Sequence, residues 1–352
     1  MFRPCIDLHE GKVKQIVGGT LGSDPAALRT NFVSERSAAW YADLYRRDGL
    51  LGGHVIMLGA GNESAAREAL AAFPGGLQIG GGIQLDNASA FLDAGASHVI
   101  VTSWVFRDGA LDWDRLRALV SAIGQQRLVL DLSCRRRGND YFVVTDRWQK
   151  FTSLRITSET LVRLAEFCDE FLVHAVDVEG LCQGIDPQLV TMLGQWSPRP
   201  TTYAGGARSL ADLEEVTRLS GGRVDLTIGS ALDIFGGQGV RYAEVVEFNR
   251  RQSSGAAASA SRTPTCTKDV GQCVSPVSTS YLRSLFSDLV PDRGKTSRRP
   301  FFRIRDRRDA LSDGSVTPPA LGATPPRVCG LLRSGRPTCG QTPPRVRPAT
   351  AA

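Results

Sequence analysis

The sequence predicts an α/β protein. It is a (β/α)8 barrel built from two duplicated half-barrels over residues 1–252, with a C-terminal tail over residues 253–352. Three observations predict it. Eight short apolar runs alternate with eight amphipathic stretches in about 250 residues, the count and size of such a barrel. The runs are rich in Val, Ile and Leu on consecutive positions, as parallel strands buried on both faces must be. The chain also repeats itself. Asp7 closes one apolar run and Asp131 closes another 124 residues on; Gly81-Gly82 returns as Gly205-Gly206 at the same offset; Thr102-Ser103 returns as Gly229-Ser230 at an offset of 127. Such a repeat makes the barrel two four-unit halves. An open doubly wound sheet fits the element count but not the twofold recurrence of site-like residues.

Strands are expected near 2–7, 53–58, 77–80, 98–102, 127–131, 170–175, 201–204 and 224–228. Each precedes a helix, near 36–48, 63–72, 85–94, 110–123, 158–168, 187–195, 209–218 and 240–251. The clearest helix start is Ser209, a capping residue with Asp212 three positions on and Leu210, Leu213 and Val216 on one face behind it. Pro187 suits a first helical turn, where its missing N–H has no partner to lose.

Charge divides the chain. Residues 1–252 carry 30 Asp and Glu against 26 Lys and Arg; residues 253–352 carry 16 Lys and Arg against 6 Asp and no Glu. The net charge of +6 therefore describes the tail, and nucleic-acid binding is not expected of the barrel. The tail holds 12 of the 18 prolines and repeats Thr324-Pro325-Pro326-Arg327-Val328 as Thr342-Pro343-Pro344-Arg345-Val346. It buries too little apolar surface to offset its ordering entropy, so it is expected to be disordered or a gene-prediction artefact such as translated intron. An RNA contact through Arg298-Arg299 and Arg303-Ile304-Arg305 stays open. No apolar run is long enough to span a bilayer, and the first strand begins at once, so a cytoplasmic protein without a leader is expected. The body cysteines, Cys5, Cys134, Cys168 and Cys182, form no C-x-x-C pair and are expected to be reduced thiols.

The site should lie at the C-terminal ends of the strands. There Asp7 and Asp131 end strands one and five and face each other across the mouth, an arrangement for an acid and a base. Gly81, Gly82, Gly205 and Gly206 end strands three and seven; Thr102, Ser103, Gly229 and Ser230 end strands four and eight. Glycines let backbone N–H groups close on a phosphate, and a helix start adds its dipole. Two such grips in register point to a small-molecule ligand with two phosphates. Trp148, in a polar connection after strand five, suits a lid stacking on a planar ring. His9 lies beside the proposed site; His54 and His98 open strands at the opposite face and are expected to be structural. No metal and no cofactor are implied, and a monomer is expected.

These residues resemble the family of histidine-biosynthesis isomerases acting on ProFAR, phosphoribosylformimino-5-aminoimidazole carboxamide ribotide, in its fungal and other eukaryotic form. The marks are Ile6-Asp7-Leu8-His9-Glu10-Gly11-Lys12, Thr30-Asn31-Phe32-Val33-Ser34, Val101-Thr102-Ser103-Trp104, Leu130-Asp131-Leu132-Ser133-Cys134, His174-Ala175-Val176-Asp177-Val178-Glu179-Gly180 and Tyr203-Ala204-Gly205-Gly206-Ala207. They run in order through about residues 2–252. The resemblance implies an aldose–ketose isomerase performing an Amadori rearrangement. It implies that Asp7 is the general base and that a carboxylate across the barrel protonates the ribose ring oxygen. Asp131 matches one family carboxylate. A second family acid belongs to an Asp-Gly-Thr motif after strand six; this chain reads Asp177-Val178-Glu179-Gly180-Leu181, so Asp177 or Glu179 takes that role. After strand two the chain has Met57-Leu58-Gly59-Ala60 where bacterial members have Asp-Leu-Asp-Gly. The related imidazole-glycerol-phosphate cyclase barrel and a non-catalytic phosphate-binding barrel are the alternatives.

Overall fold

The computed structural model describes residues 1–17, 20 and 28–260, with side chains to Ser254. The eight barrel strands are β1 (Phe2–Arg3 and Cys5–His9), β2 (Gly53–Met57), β3 (Leu77–Gly80), β4 (His98–Val101), β5 (Leu128–Asp131), β6 (Glu170–His174), β7 (Thr201–Ala204) and β8 (Val224–Thr227). The helices are α1 (Ala38–Arg47), α2 (Glu63–Ala72), α3 (Ala88–Asp93), α4 (Trp113–Ile123), α5 (Ser158–Leu164), α6 (Pro187–Trp196), α7 (Leu210–Ser220) and α8 (Tyr242–Ala260). All eight expected strand–helix units are present, and every barrel pairing is parallel.

The ring closes through β1. Pro4 has no N–H to give a ladder and divides the strand. Phe2 and Arg3 pair with Leu226 and Thr227 of β8, while Cys5 to Leu8 pair with His54 to Met57 of β2. Alternation along the strands then makes two cores. Ile6, Val55, Ile79, Phe171, Tyr203 and Leu226 face outward and are buried in the layer between barrel and helices. Ile100, Val129 and Leu172, with Ile56 against them, fill the barrel interior. Each such side chain contributes roughly 1.5–3 kcal/mol by leaving water. Polar groups fill the N-terminal end. Glu170 accepts hydrogen bonds from Gln78 (3.0 Å) and Thr202 (2.8 Å), and Arg3 reaches Asp225 (2.7 Å) and Glu170 (3.8 Å). These partners satisfy charges that burial would otherwise penalise.

Helix starts follow the capping rule. Ser37, Asp112, Thr157 and Asp186 accept backbone N–H groups at α1, α4, α5 and α6. At α7, Asp212 reaches back to the N–H groups of Arg208 and Ser209.

Two differences from the sequence reading bear on the site. The connections after β1 and β5, for which no strand was expected, are structured. After β1, Lys12–Ile16 and Thr30–Val33 form a hairpin entered through Glu10 and Gly11, both at positive φ. After β5, Cys134–Arg137, Asp140–Thr145 and Lys150–Arg155 form a three-stranded antiparallel sheet. Its arginines lie over its own aromatic rings, Arg137 at 4.1 Å from the Phe151 ring centre, so charged positions that read as loop are strand. Second, α8 passes the expected boundary at 252. The alanine-rich run from Ser253 favours helix once a turn exists, and Ser253 and Ser254 donate to carbonyls four residues back. The expectations for residues beyond 260 lie outside the described residues.

Candidate active site

The C-terminal strand ends open onto a cavity of about 580 Å³. Asp7, Asp131, Glu179, Trp148 and all eight of the proposed grip residues line it; Asp177 does not.

Asp7 faces inward because its neighbours Ile6 and Leu8 are buried against the helix layer. Gln15, on the hairpin after β1, donates to Asp7 Oδ2 at 3.1 Å. Burial pushes the Asp7 carboxyl up to about 7, and the charge of Glu179 adds to the rise against the opposing effects of His174 and Gln15. Glu179 sits in the turn after β6. Its Oε2 is buried without a hydrogen-bond partner, and burial raises its pKa despite the opposing charge of His174. A buried acceptor left unpaired is costly, and a proton or a ligand donor relieves the cost.

Asp131 is differently placed. Ser133 donates to its Oδ1 from both N–H (2.8 Å) and hydroxyl (2.7 Å), Thr102 donates to its Oδ2 (3.0 Å), and His174 Nδ1 lies 3.4 Å from Oδ1. Burial works against ionisation, but the His174 charge and these hydrogen bonds prevail and hold Asp131 below its ordinary range. His174 in turn is held up at about 9: burial lowers it, and Asp131, Glu179 and Asp7 outweigh burial.

Two sequence expectations are corrected. Asp177 points away from the cavity; it is exposed, accepting from Arg135 Nε at 2.7 Å and from the Arg136 N–H at 3.0 Å. The motif after β6 turns between Asp177 and Glu179, and only the latter reaches inside. His54 is not confined to the far face. It stands at an inward position of β2, lines the cavity 5.9 Å from the His174 ring, and is pushed down to about 3 by burial and by the His174 charge. The Thr102 hydroxyl is committed to Asp131, so the two grips are not equivalent. His98, bonded to Ser97 and Asp169, is structural as expected.

Gly81, at φ 90°, has the Met57 carbonyl 2.1 Å from where a Cβ would lie. Gly205, at φ 127°, has the Ala175 carbonyl at 2.9 Å. Backbone crowding therefore requires both glycines before any ligand is considered. Ser103 Oγ accepts the Asp146 N–H, and Ser230 Oγ accepts from Asn31, whose amide also donates to the Gly180 carbonyl. Trp148 stands in a turn where Asp146, Arg147 and Trp148 all have positive φ, strained for non-glycine residues, and its ring lies 5.7 Å from that of His174. Gln15, Asn31 and His174 were missed from the sequence. Only His174 carried a signal: Glu170, Leu172 and His174 alternate along a strand, so they share a face. Among the described residues no group of three or more His, Cys, Asp or Glu could hold a metal ion. No helix among them is long and apolar enough to cross a membrane.

A profile of the histidine biosynthesis protein family matches residues 1–239. The chain belongs to that family. The match covers the whole ring and both glycine turns. Among its relatives in the family is a Neurospora crassa protein named 1-(5-phosphoribosyl)-5-((5-phosphoribosylamino)methylideneamino)imidazole-4-carboxamide isomerase, 56% identical over 254 residues, which are 71% of this chain and 99% of the relative. A Medicago truncatula protein of the same name, described as chloroplastic, is 55% identical over 260 residues, 71% of this chain and 82% of the relative. One from Saccharomyces cerevisiae is 47% identical over 258 residues, 71% and 98%.

Proposed function

We propose that this protein is the histidine-biosynthesis isomerase that converts ProFAR, an aminoaldose, into the corresponding aminoketose by an Amadori rearrangement. The carrying observation is the pair Asp7 and Glu179: two carboxyl groups whose pKa values burial raises, in one cavity lined by both glycine turns. The relatives' shared name supports the same reading. Glu179 in its protonated form gives its proton to the ribose ring oxygen. The C1–O bond breaks as the amino nitrogen lone pair forms the C1 iminium. Asp7, ionised, removes the C2 proton, and those electrons form the enol-amine. Loss of the C2 hydroxyl proton and gain of a proton at C1 complete the ketone. The glycine turns with Ser103 and Ser230 hold the two phosphates at the rim, so that the sugar lies between the carboxyls. Trp148 closes on the planar part of the substrate. No cofactor enters these steps.

The test is ProFAR turnover by the purified full chain with neither ammonia nor glutamine. Absence of product, or a requirement for ammonia, would sink the reading. On this reading the enzyme is a cytoplasmic monomer, which fractionation and size-exclusion chromatography check.

A further inference from the structure

Asp131 has two oxygens and four donors around them. Oδ1 takes the Ser133 N–H and hydroxyl and faces His174 Nδ1; Oδ2 takes the Thr102 hydroxyl. A carboxylate has about four lone-pair sites, so little capacity remains for a substrate. The same contacts fix the histidine. Asp131 only accepts, and the Ser133 hydroxyl, 3.3 Å from Nδ1, already donates to Asp131. Nδ1 must therefore carry a hydrogen. Nε2, on the other side of the ring, makes no hydrogen bond to the described protein, and His174 lines the cavity. The ring lies between Trp148 and His54, at 5.7 and 5.9 Å.

We infer that Asp131 acts on the reaction only through His174, holding its ring as an imidazolium whose Nε2–H is presented to a sugar oxygen of the substrate. The inference rests on the proposed isomerase reading and divides the carboxylates of the site. Asp7 and Glu179 move protons, and Asp131 is a positioning residue. His174 supplies a fixed donor to the C2 oxygen, which gains negative charge as its hydroxyl proton is lost; no proton need leave the ring. A charged, pre-oriented donor stabilises such an oxygen more than water does, since it needs no reorganisation. It also offsets the crowding of Asp7, Asp131 and Glu179. The groups facing the ring are Asp131 and Ser133 from β5 and its end, Asp7 from β1, His54 from β2, Glu179 from the turn after β6, and Trp148 from the three-stranded sheet. Only His54 among them opposes the charge, and burial keeps it neutral.

The first test needs no variant: nitrogen-15 NMR of the histidine rings in the full chain without ligand. His174 should be protonated on both nitrogens at pH 7.5 and titrate near pH 9. A neutral His174 at pH 7.5 overturns the inference. The second is kinetic. His174→Gln should lower kcat by roughly 10²–10³, in the range found for loss of one such donor, with KM within a few-fold. It should also remove the fall in kcat that the parent shows as pH rises through about 9. Asp131→Asn should shift that fall to lower pH, and the double variant should be no slower than His174→Gln alone. A further tenfold loss in the double variant would mean that Asp131 acts on substrate itself. If the parent does not turn over ProFAR, the isomerase reading fails, while the NMR result still decides whether Asp131 holds a charged ring.

Discussion

At Asp7 stability and chemistry pull in opposite directions. The folded carboxyl titrates near 7, far above the value of about 3.9 for an unfolded Asp. Between those values the folded state keeps a proton that the unfolded state has lost. Stability from this group is thus fully present below about pH 4 and is lost as pH rises through 7. Asp7→Asn should therefore stabilise the fold at pH 8, by the order of 1–3 kcal/mol, and change little at pH 4, as read from denaturant unfolding. The same substitution should cost about 10²–10⁴ in kcat and leave substrate binding within a few-fold. Because the base must be ionised, kcat/KM of the parent should fall as pH drops through 7. Near-normal turnover in the variant would remove Asp7 from the mechanism. The two acids after β6 separate in the same assay. Glu179→Gln should lose at least a hundredfold, whereas Asp177→Asn, which disturbs only exposed contacts with Arg135 and the Arg136 N–H, should stay within about threefold.

The elements that shape the rim are the hairpin after β1 and the sheet after β5. The hairpin reaches the ends of β6 and β8. Asn31 ties the Gly180 carbonyl, next to Glu179, to the Ser230 hydroxyl, and a Cβ on Gly180 would lie 2.3 Å from the Ile16 carbonyl. Ser230→Ala removes a hydroxyl without crowding anything, and with it the bond from Asn31. We expect KM to rise about three- to tenfold, kcat to change less, and inorganic phosphate to compete with substrate less well. Gly81→Val answers a different question. Its side chain would overlap the Met57 carbonyl, so a drop in melting temperature is expected along with lost activity. A folded Gly81→Val with the parent's melting temperature would contradict the crowding described above. The Trp148 turn has three consecutive left-handed residues, each unfavourable by roughly 1–2 kcal/mol. That arrangement places the indole over His174, and Trp148→Ala should raise KM and lower kcat together.

Across the whole molecule, α8 fastens the ring where Pro4 interrupts it. The Asn249 side chain accepts the Phe2 N–H and donates to the Phe2 carbonyl, both at 2.8 Å. Asn249→Ala leaves both groups unpaired at the closing strand and should cost about 1–3 kcal/mol in thermal or denaturant unfolding. A chain ended after Ser254 keeps this clamp. It should match the full chain in ProFAR turnover and melt within a few degrees of it. A large loss of activity on truncation would give residues 255–352 a role in the enzyme.

The barrel was legible in the sequence because its causes are local and periodic. Consecutive Val, Ile and Leu mark strands covered on both faces, and a 124-residue repeat of Asp, Gly-Gly and a small polar pair marks two halves with their site at one end. The same logic found Asp7, Asp131 and the glycine turns, which strand ends place without further information. The tertiary structure decided what depends on contacts between distant segments. Asp177 and Glu179 stand two residues apart in one turn, and only chain direction after β6 leaves one exposed and buries the Oε2 of the other. Asp131 and Asp7 look identical in the repeat. Yet Ser133, Thr102 and His174 surround one with donors, and Gln15 and Glu179 give the other a single donor and a like charge. Proton affinity is set by what lies within a few ångströms, and those neighbours come from three strands or their ends, the hairpin after β1 and the turn after β6, which only the closed ring brings together.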